Sequence, residues 1–170
     1  MARTIAFVGM GSNLVHPRRQ LARAARRLAR LPRTTLVATS RNFATAPVGT
    51  QEPQPDYVNA VAMLSTSLAP RALLAQLLAM ERRQGRRRDG DSPRNAARSL
   101  DLDLLLYGRL RLATRALTLP HPRMHERAFV LRPLADVAPA ATIPGRALAR
   151  SHLARLRHQR IAPTRSHHPH

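Results

Sequence analysis

Four stretches of the chain have the composition and spacing of β-strands. Residues 4–9 (TIAFVG) form a short apolar run typical of a buried strand, and Thr34 to Thr45 is rich in β-branched residues. Tyr57 to Thr66 and Leu100 to Tyr107 are apolar or alternating over the length of a strand. In the first of these two, Tyr57 shares a face with Asn59, Val61 and Met63. The sequence therefore predicts four strands.

Helical spacing occupies the segments between these strands. Pro17 suits the first turn of a helix that runs to about Leu31, and Pro70 opens a second helix that ends near Gly85. A shorter helix is predicted around Arg127 to Val137. The resulting order is strand, helix, strand, strand, helix, strand. This order predicts an α+β fold, a ferredoxin-like split β-α-β sheet with helices on one face and long loops beside the other.

The loops and the C-terminus complete the organisation. We predict a tight turn at Gly9 to Asn13 (GMGSN), since the third glycine of a dinucleotide fingerprint and the lysine of a phosphate loop are missing. The length of 170 residues favours one domain, placed at residues 1–145. Residues 146–170 are predicted to form an Arg/His-rich helix or tail.

Composition excludes several chemistries. The chain has no Cys and no Lys, so disulfides, thiol catalysis and Schiff-base lysines are ruled out. Its net charge of +20 is compatible with a polyanionic partner, although an arginine-only, Ala- and Leu-rich chain also reflects genomic base composition. We find no targeting segment and no apolar run of transmembrane length, which predicts a soluble cytoplasmic protein.

Two carboxylates stand out among only nine acidic residues. Strand periodicity places Asp101 and Asp103 on one face, about 6.6 Å apart at Cα, with Leu100, Leu102, Leu104 and Leu106 on the other. Side by side, the two carboxylates raise each other's pKa unless a cation compensates. Oxygen ligands favour Mg²⁺ supported by substrate phosphates. The alternative is a pair of acids on an edge strand that face water.

Further candidate ligand-binding residues are interpreted in relation to Asp101 and Asp103. The loop that precedes it carries arginines, among them Arg86, Arg88 and Arg98, whose guanidinium groups match phosphate oxygens or simply form a solvated surface. His121 is a ligand residue or a structural histidine. Tyr57 and Phe129 either enclose a planar ring or belong to the core.

Together these segments resemble the 6-hydroxymethyl-7,8-dihydropterin pyrophosphokinase family of folate biosynthesis. The matching segments occur in the family's order and spread over residues 5–144, most of the chain, and the ordered set of motifs is more specific than any single one. The matching motifs are GSNL (11–14), TAPVG (45–49), QPDYVNAV (54–61), E-x-x-x-GR-x-R (81–88), RSLDLDLLLYG (98–108) and PHPRMHERAFVLRPLADVAP (120–139).

The resemblance implies a function and a set of site residues. Members transfer the terminal diphosphate of ATP to the pterin hydroxymethyl oxygen with two Mg²⁺ ions, and AMP leaves. The implied partners are ATP and a hydroxymethyl dihydropterin, with no nucleic acid and no membrane, and we expect a monomer. The implied catalytic residues are Arg86, Arg98, Asp101 and Asp103, of which the two aspartates bind metal. The implied ATP contacts are Glu81, Arg88, Leu104, His121 and Arg127. The implied pterin contacts are Thr45, Pro47, Val48, Tyr57, Asn59 and Phe129.

The chain departs from the family in the loop before Arg98. Members commonly have Trp-Gly-Pro where this chain has Asn95-Ala96-Ala97, and its loop is about two residues longer. Leu78 replaces a glutamine often found beside the adenine. The pterin loop also has an extra residue near Pro53.

Two other functions compete with this interpretation. A basic ferredoxin-like RNA-binding protein would fit the charge, but it needs aromatic residues on the central strands, and the RNP1 pattern is absent. A non-catalytic relative would have lost the loop arginines, which this chain retains.

Overall fold

The computed structural model describes residues 2–13, 16–45, 57–85 and 100–164. The predicted site residues Pro47, Val48, Arg86, Arg88 and Arg98 lie outside these ranges. The helices are α1 (Pro17–Leu28), α2 (Pro70–Gly85) and α3 (Ala128–Val137), with 3₁₀ helices at Met124–Glu126 and Ala149–Leu156. The strands are β1 (Thr4–Ser12), β2 (Thr34–Thr39), β3 (Phe43–Thr45), β4 (Tyr57–Thr66), β5 (Asp101–Tyr107), β6 (Leu112–Ala113), β7 (Thr118–Leu119) and β8 (Ile161–Pro163).

The main sheet is antiparallel and has six strands. Its order is β5-β1-β4-β3-β8, and β2 pairs with β4 beside β3. β1 therefore lies between β4 and β5, whereas β5 forms an edge. β6 and β7 form a separate hairpin. The α+β class and the order of the elements predicted from the sequence are confirmed.

The first core lies between the sheet and helices α1 and α2. Strand alternation directs Ala6, Val8 and Met10 of β1 into it. Leu21 and Leu28 of α1 and Leu73 and Leu77 of α2 meet these residues, and all are 3% exposed or less. This arrangement matches the predicted layer of two helices.

The opposite face of the sheet, beside which only long loops were predicted, is partly covered by a helix. α3 packs against it through Leu131 and Leu134, which form a second core with Phe7, Val61 and Leu105. Pro133 within α3 is also buried. The uncovered part of this face lies at the ends of β1, β4 and β5 that carry Ser12, Tyr57 and Asp101.

Three strands differ from the prediction. β1 continues through the predicted turn to Ser12. The predicted strand Thr34 to Thr45 is divided where Ser40 takes over the pairing: its N–H donates to Val61 O at 2.8 Å and its Oγ accepts from Val61 N at 2.9 Å. A register shift opposite Phe7 and Val8 directs Leu106 into the second core, whereas we predicted it beside Leu104.

The C-terminal stretch predicted as a helix or tail forms a 3₁₀ helix and then β8. β8 pairs with β3, with Thr45 opposite Ile161. Ala149 is 1% exposed and belongs to the second core. Residues 149–163 thus pack against the same sheet and helix as the preceding chain.

Burial in the first core sets the effect of substitutions on α2. Leu77→Ala should lower the free energy of unfolding by about 2–5 kcal/mol, since the side chain is fully buried and leaves a cavity. The neighbouring Leu78→Ala is the control, because Leu78 is 43% exposed; its change should stay within about 0.5 kcal/mol. Urea denaturation monitored by circular dichroism measures both. Equal losses in the two variants would contradict this packing.

Candidate active site

Two glycines of β1 form the floor of the open part of the sheet. Gly11 lies between Asp101 of β5 and Asn59 of β4, and Gly9 lies between Asp103 and Val61. Because directly opposed residues share a face, Gly11 separates two polar side chains, and Gly9 separates Asp103 from the apolar Val61. This segment was predicted to be a turn, so its place in the floor was not foreseen. The period-two repeat of glycine beside a buried strand was the available signal.

Asp101 and Asp103 lie on the same face of β5, as predicted, and both are partly buried. Burial is the main cause that raises the pKa of Asp103, and the neighbouring Asp101 raises it further. His121 and Arg127 act in the opposite direction on the same carboxyl group. The pair is thus a half-buried concentration of negative charge that a cation would stabilise.

Glu81 of α2 fixes the strand between the two aspartates. Its Oε1 accepts a hydrogen bond from the backbone N–H of Leu102 at 2.7 Å. β5 is an edge strand, so a charged acceptor satisfies a donor that has no partner strand. Glu81 therefore contacts the backbone between Asp101 and Asp103 but does not line the cavity above them.

Tyr57, at the start of β4, reaches across β1 to the carboxylates. Its hydroxyl donates a hydrogen bond to Asp101 Oδ2. A Cβ atom on Gly11 would lie 2.5 Å from Tyr57 Cε1 and 3.0 Å from Asn59 Oδ1. The absence of a side chain at Gly11 is therefore what allows the ring to lie over the sheet.

Thr45 and Asn59 form the polar end of the floor beside Tyr57. Asn59 is 5% exposed, and its Nδ2 donates to Thr45 Oγ1 at 3.4 Å. Thr45 Oγ1 in turn donates to Tyr57 O at 3.4 Å. This arrangement places an amide and a hydroxyl next to an aromatic ring, which suits a planar heterocycle with polar edges.

Arg127 and Phe129 enter from the N-terminus of α3. The Arg127 guanidinium carbon lies 5.5 Å from the centroid of the Phe129 ring, a cation–π arrangement. Arg127 lowers the pKa of both Asp103 and His121 through its charge. A fixed cation therefore stands near the carboxylates, where the oxygens of a polyanion would also be accommodated.

His121 does not line the same cavity as Arg127 and Phe129 but a separate one. Its backbone N–H donates to Leu105 O at 2.9 Å, which ties the loop to β5. Burial lowers the pKa of His121, Asp103 opposes that shift, and Arg127 and Arg123 reinforce it. The cavity that His121 lines has a volume of about 320 Å³ and also contains Arg111 and Arg146.

A larger cavity of about 960 Å³ collects seven of the ten predicted site residues that the structure describes. Glu81, Leu104 and His121 do not line it, and the Leu104 side chain is 3% exposed in the first core. Besides the two glycines, the lining residues His158 to Ile161 were not predicted from the sequence. The predicted residues that line the cavity are Thr45, Tyr57, Asn59, Asp101, Asp103, Arg127 and Phe129.

The donor set fits a hard cation shared with a ligand. Within the described residues, no three His, Cys, Asp or Glu side chains converge as a self-sufficient metal site. The two carboxylates alone leave most positions of an octahedral ion to water and to substrate oxygens, an arrangement typical of Mg²⁺ bound with a nucleotide. The site can therefore hold such an ion, with the ligand completing its coordination.

Comparisons with known proteins identify a family that matches most of the chain. The family model described as 7,8-dihydro-6-hydroxymethylpterin-pyrophosphokinase (HPPK) matches residues 7–139. The chain is 48% identical over 138 residues to 2-amino-4-hydroxy-6-hydroxymethyldihydropteridine pyrophosphokinase of Pseudomonas aeruginosa, covering 81% of this chain and 83% of the relative. It is 44% identical over 142 residues to the Haemophilus influenzae protein of the same name, covering 82% and 84%.

Solved structures share the fold at low sequence identity. A crystal structure of HPPK-DHPS in complex with substrates superposes with a TM-score of 0.71 at 12% identity, covering 92% of this chain and 44% of that one. Plasmodium falciparum HPPK-DHPS with SDX-DHP gives a TM-score of 0.67 at 12% identity, covering 90% and 43%. This chain therefore spans less than half the length of those HPPK-DHPS chains.

Burial of Asp103 predicts a pH-dependent gain in stability when its charge is removed. A raised pKa in the folded state imposes a cost that is absent below the unfolded pKa of about 3.9, grows between the unfolded and the folded pKa, and is constant above the folded pKa. Asp103→Asn should therefore raise the Tm at pH 7 in metal-free buffer and change it little at pH 3. Differential scanning calorimetry at the two pH values measures the effect.

Asp136→Asn is the matched control, because it removes the same charge. A hydrogen bond from Arg41, 2.8 Å away, lowers the pKa of Asp136. That stabilisation is present above the unfolded pKa and lost as pH falls through the folded one. The control should therefore lower the Tm at pH 7, modestly since Arg41 is 65% exposed. A Tm at pH 7 that falls in both variants would contradict the cost assigned to Asp103.

Proposed function

The chain belongs to the 7,8-dihydro-6-hydroxymethylpterin-pyrophosphokinase family, and from this premise we propose how its own residues perform the reaction. It is a pyrophosphokinase of folate biosynthesis, with ATP as co-substrate. The diphosphate of ATP passes to the hydroxymethyl group of the dihydropterin. What remains to be assigned is the metal requirement and the role of each side chain.

Asp101 and Asp103 are the proposed ligands of two Mg²⁺ ions. The observation that carries this assignment is their common position beside Gly11 and Gly9, half-buried at the floor of the large cavity. When bound, Mg²⁺ neutralises phosphate charge and orients the phosphoryl oxygens. The carboxylates then lose their mutual repulsion, and Tyr57 holds Asp101 in place through its hydroxyl.

The pterin is proposed to lie between Tyr57 and Phe129. The first ring rises from the floor at β4 and the second comes from α3, and both line the cavity. Stacking contributes binding energy without polar contacts, while Thr45 and Asn59 contact the polar edge of the heterocycle. Pro47 and Val48, which lie outside the described residues, are proposed to complete that edge through backbone groups.

ATP is proposed to bind on the side of β5. Arg127, at the start of α3, lies near the carboxylates and balances phosphate charge, whereas His121, whose pKa is lowered by burial, contacts ATP from the preceding loop. Glu81 and Leu104 support the nucleotide from the strand edge, Leu104 through its backbone because its side chain is buried. Arg86, Arg88 and Arg98, outside the described residues, are proposed to contact the phosphates in the reacting complex.

The reaction follows as an in-line displacement. The pterin hydroxymethyl oxygen attacks the β-phosphorus of ATP and loses its proton to solvent, the bond from that phosphorus to the α,β-bridging oxygen breaks, and AMP leaves. The side chains mainly position the two substrates and stabilise charge on the transferring oxygens. Arg86 and Arg98 are proposed to serve this second task.

The oligomeric state, the location, the domain boundary and the excluded partners are also proposals. We propose a monomer in the cytoplasm, a boundary at residue 145, and no nucleic-acid or membrane partner. In the part of the chain that the structure describes, no helix has the length and apolar character needed to cross a membrane. The comparisons give the RNA-binding alternative no support.

A direct assay tests the proposal. The purified chain is incubated with ATP, Mg²⁺ and 6-hydroxymethyl-7,8-dihydropterin, and AMP is measured by chromatography. Replacing Mg²⁺ with excess chelator should stop AMP formation. AMP release that persists in chelator would overturn the metal requirement, and no release with all components present would overturn the catalytic assignment.

Removal of either carboxylate should abolish turnover. Asp101→Ala and Asp103→Ala each lose a ligand of the ions that neutralise polyphosphate charge. The fold should persist in both, since removal of a half-buried carboxylate relieves repulsion. Steady-state rates at saturating Mg²⁺, with circular dichroism as the folding control, measure the effect. Near-normal activity in either variant would refute the metal assignment.

Loss of a phosphate contact should mainly lower kcat, whereas loss of a pterin contact should mainly weaken pterin binding. Tyr57→Ala should weaken pterin binding by roughly 1–3 kcal/mol, by analogy with base–aromatic stacking. Arg98→Ala should lower kcat by about 10²-fold or more while pterin affinity changes little, because its contacts form with the moving phosphoryl group. Calorimetry with a pterin analogue and a non-hydrolysable ATP analogue, paired with steady-state rates, measures both. Equal loss of pterin binding in the two variants would disprove this division.

A further inference from the structure

A short segment near the C-terminus forms one wall of the cavity. His158, Gln159, Arg160 and Ile161 line it opposite the floor glycines. Within this segment, Gln159 is partly buried, whereas His158 and Arg160 are exposed. Gln159 is also the one whose side chain is engaged by hydrogen bonds to another part of the site. The arginine-rich composition of the chain does not account for a glutamine that is engaged in this way, which indicates a specific role for Gln159.

The carboxamide of Gln159 holds the backbone on both sides of Arg127. Its Oε1 accepts a hydrogen bond from Ala128 N–H at 2.8 Å, and its Nε2 donates to Glu126 O at 2.8 Å. Ala128 is the first residue of α3, whose leading N–H groups have no partner within the helix. The N-cap residue Arg127 supplies no side-chain hydrogen bond. Gln159, 31 residues after Ala128, caps the helix instead by accepting the hydrogen bond of the Ala128 N–H.

This bridge determines where two site residues lie. Arg127 has an extended backbone (φ −121°, ψ 105°) between the two anchored peptide groups. Its guanidinium lies over the ring of Phe129, so a shift of the Arg127 backbone would change this contact as well. Arg127 also acts electrostatically on Asp103 and His121. Displacement of this turn would disturb both the charged and the aromatic side of the cavity.

We propose that Gln159 is a positioning residue for catalysis, which fixes Arg127 and Phe129 for substrate binding through the backbone of residues 126–128. The inference rests on the proposed roles of Arg127 toward ATP and Phe129 toward the pterin. It assigns to the C-terminal segment a part in substrate affinity. A purely structural role would change the fraction of folded enzyme and leave KM unaltered.

The test replaces Gln159 with Met, which preserves length and volume but removes both hydrogen bonds. Gln159→Met should raise the KM for ATP and for the pterin and lower kcat/KM by about 10- to 100-fold, since small misplacements of binding groups have effects of that size. The matched control is Gln84→Met. Gln84 Nε2 donates to the backbone O of Gln20 at 2.7 Å, outside both cavities. This variant should show unchanged KM values and a similar small decrease in Tm.

A double variant tests the route through Arg127. If Gln159 acts by placing Arg127, the substitution Gln159→Met should change the KM for ATP far less in an Arg127→Ala background than in the wild type. Full additivity of the two effects would overturn the inference, as would KM values in Gln159→Met equal to those of Gln84→Met. Failure of the wild type to release AMP would instead refute the proposed function, so the two failures are distinguishable.

Discussion

The site depends on the register between β5, β1 and β4. That register sets Asp101, Gly11 and Asn59 in one row across the sheet and Asp103, Gly9 and Val61 in the next. A slip of one residue in β5 would turn both carboxylates into the first core and expose Leu102 and Leu104. The core residues of β1 and β5 thus fix the position of the polar groups, because their burial tolerates only one register.

The same register concentrates negative charge in a chain with little of it. The protein carries a net charge of +20 with nine acidic residues, yet two of these share one half-buried floor. Burial raises the pKa of Asp103, so the free protein carries a cost at neutral pH. The charge of Arg127 offsets part of it. In the proposed function, cations that bind with a polyanionic substrate would offset the remainder, which would couple substrate binding to the stability of the site.

Local patterning accounts for much of the architecture. The bounds of β4 and α2 follow from the apolar run of the strand, which is buried on both faces, from the apolar face of the helix, and from the prolines and the glycine that flank them. The glycine segment of β1 was misjudged, since glycine favours turns locally while pairing with two strands overrides that preference. β8 and Gln159 were not predicted at all. Their partners, Thr45 and Ala128, are distant in sequence, and periodicity contains no information about such contacts.

β5 lies at the edge of the sheet, and acidic residues on an edge strand ordinarily face water. Here the strand is an edge, yet its carboxylates are not simply solvated. The N-terminus of α3 and residues 158–161 stand over the floor and enclose the cavity around them. The backbone of β5 is contacted from the side away from β1. There Glu81 accepts a hydrogen bond from the Leu102 N–H, and the His121 N–H donates to Leu105 O. An edge strand can thus present one face to a charged cavity while its backbone remains accessible from the side, a combination that a central strand could not provide.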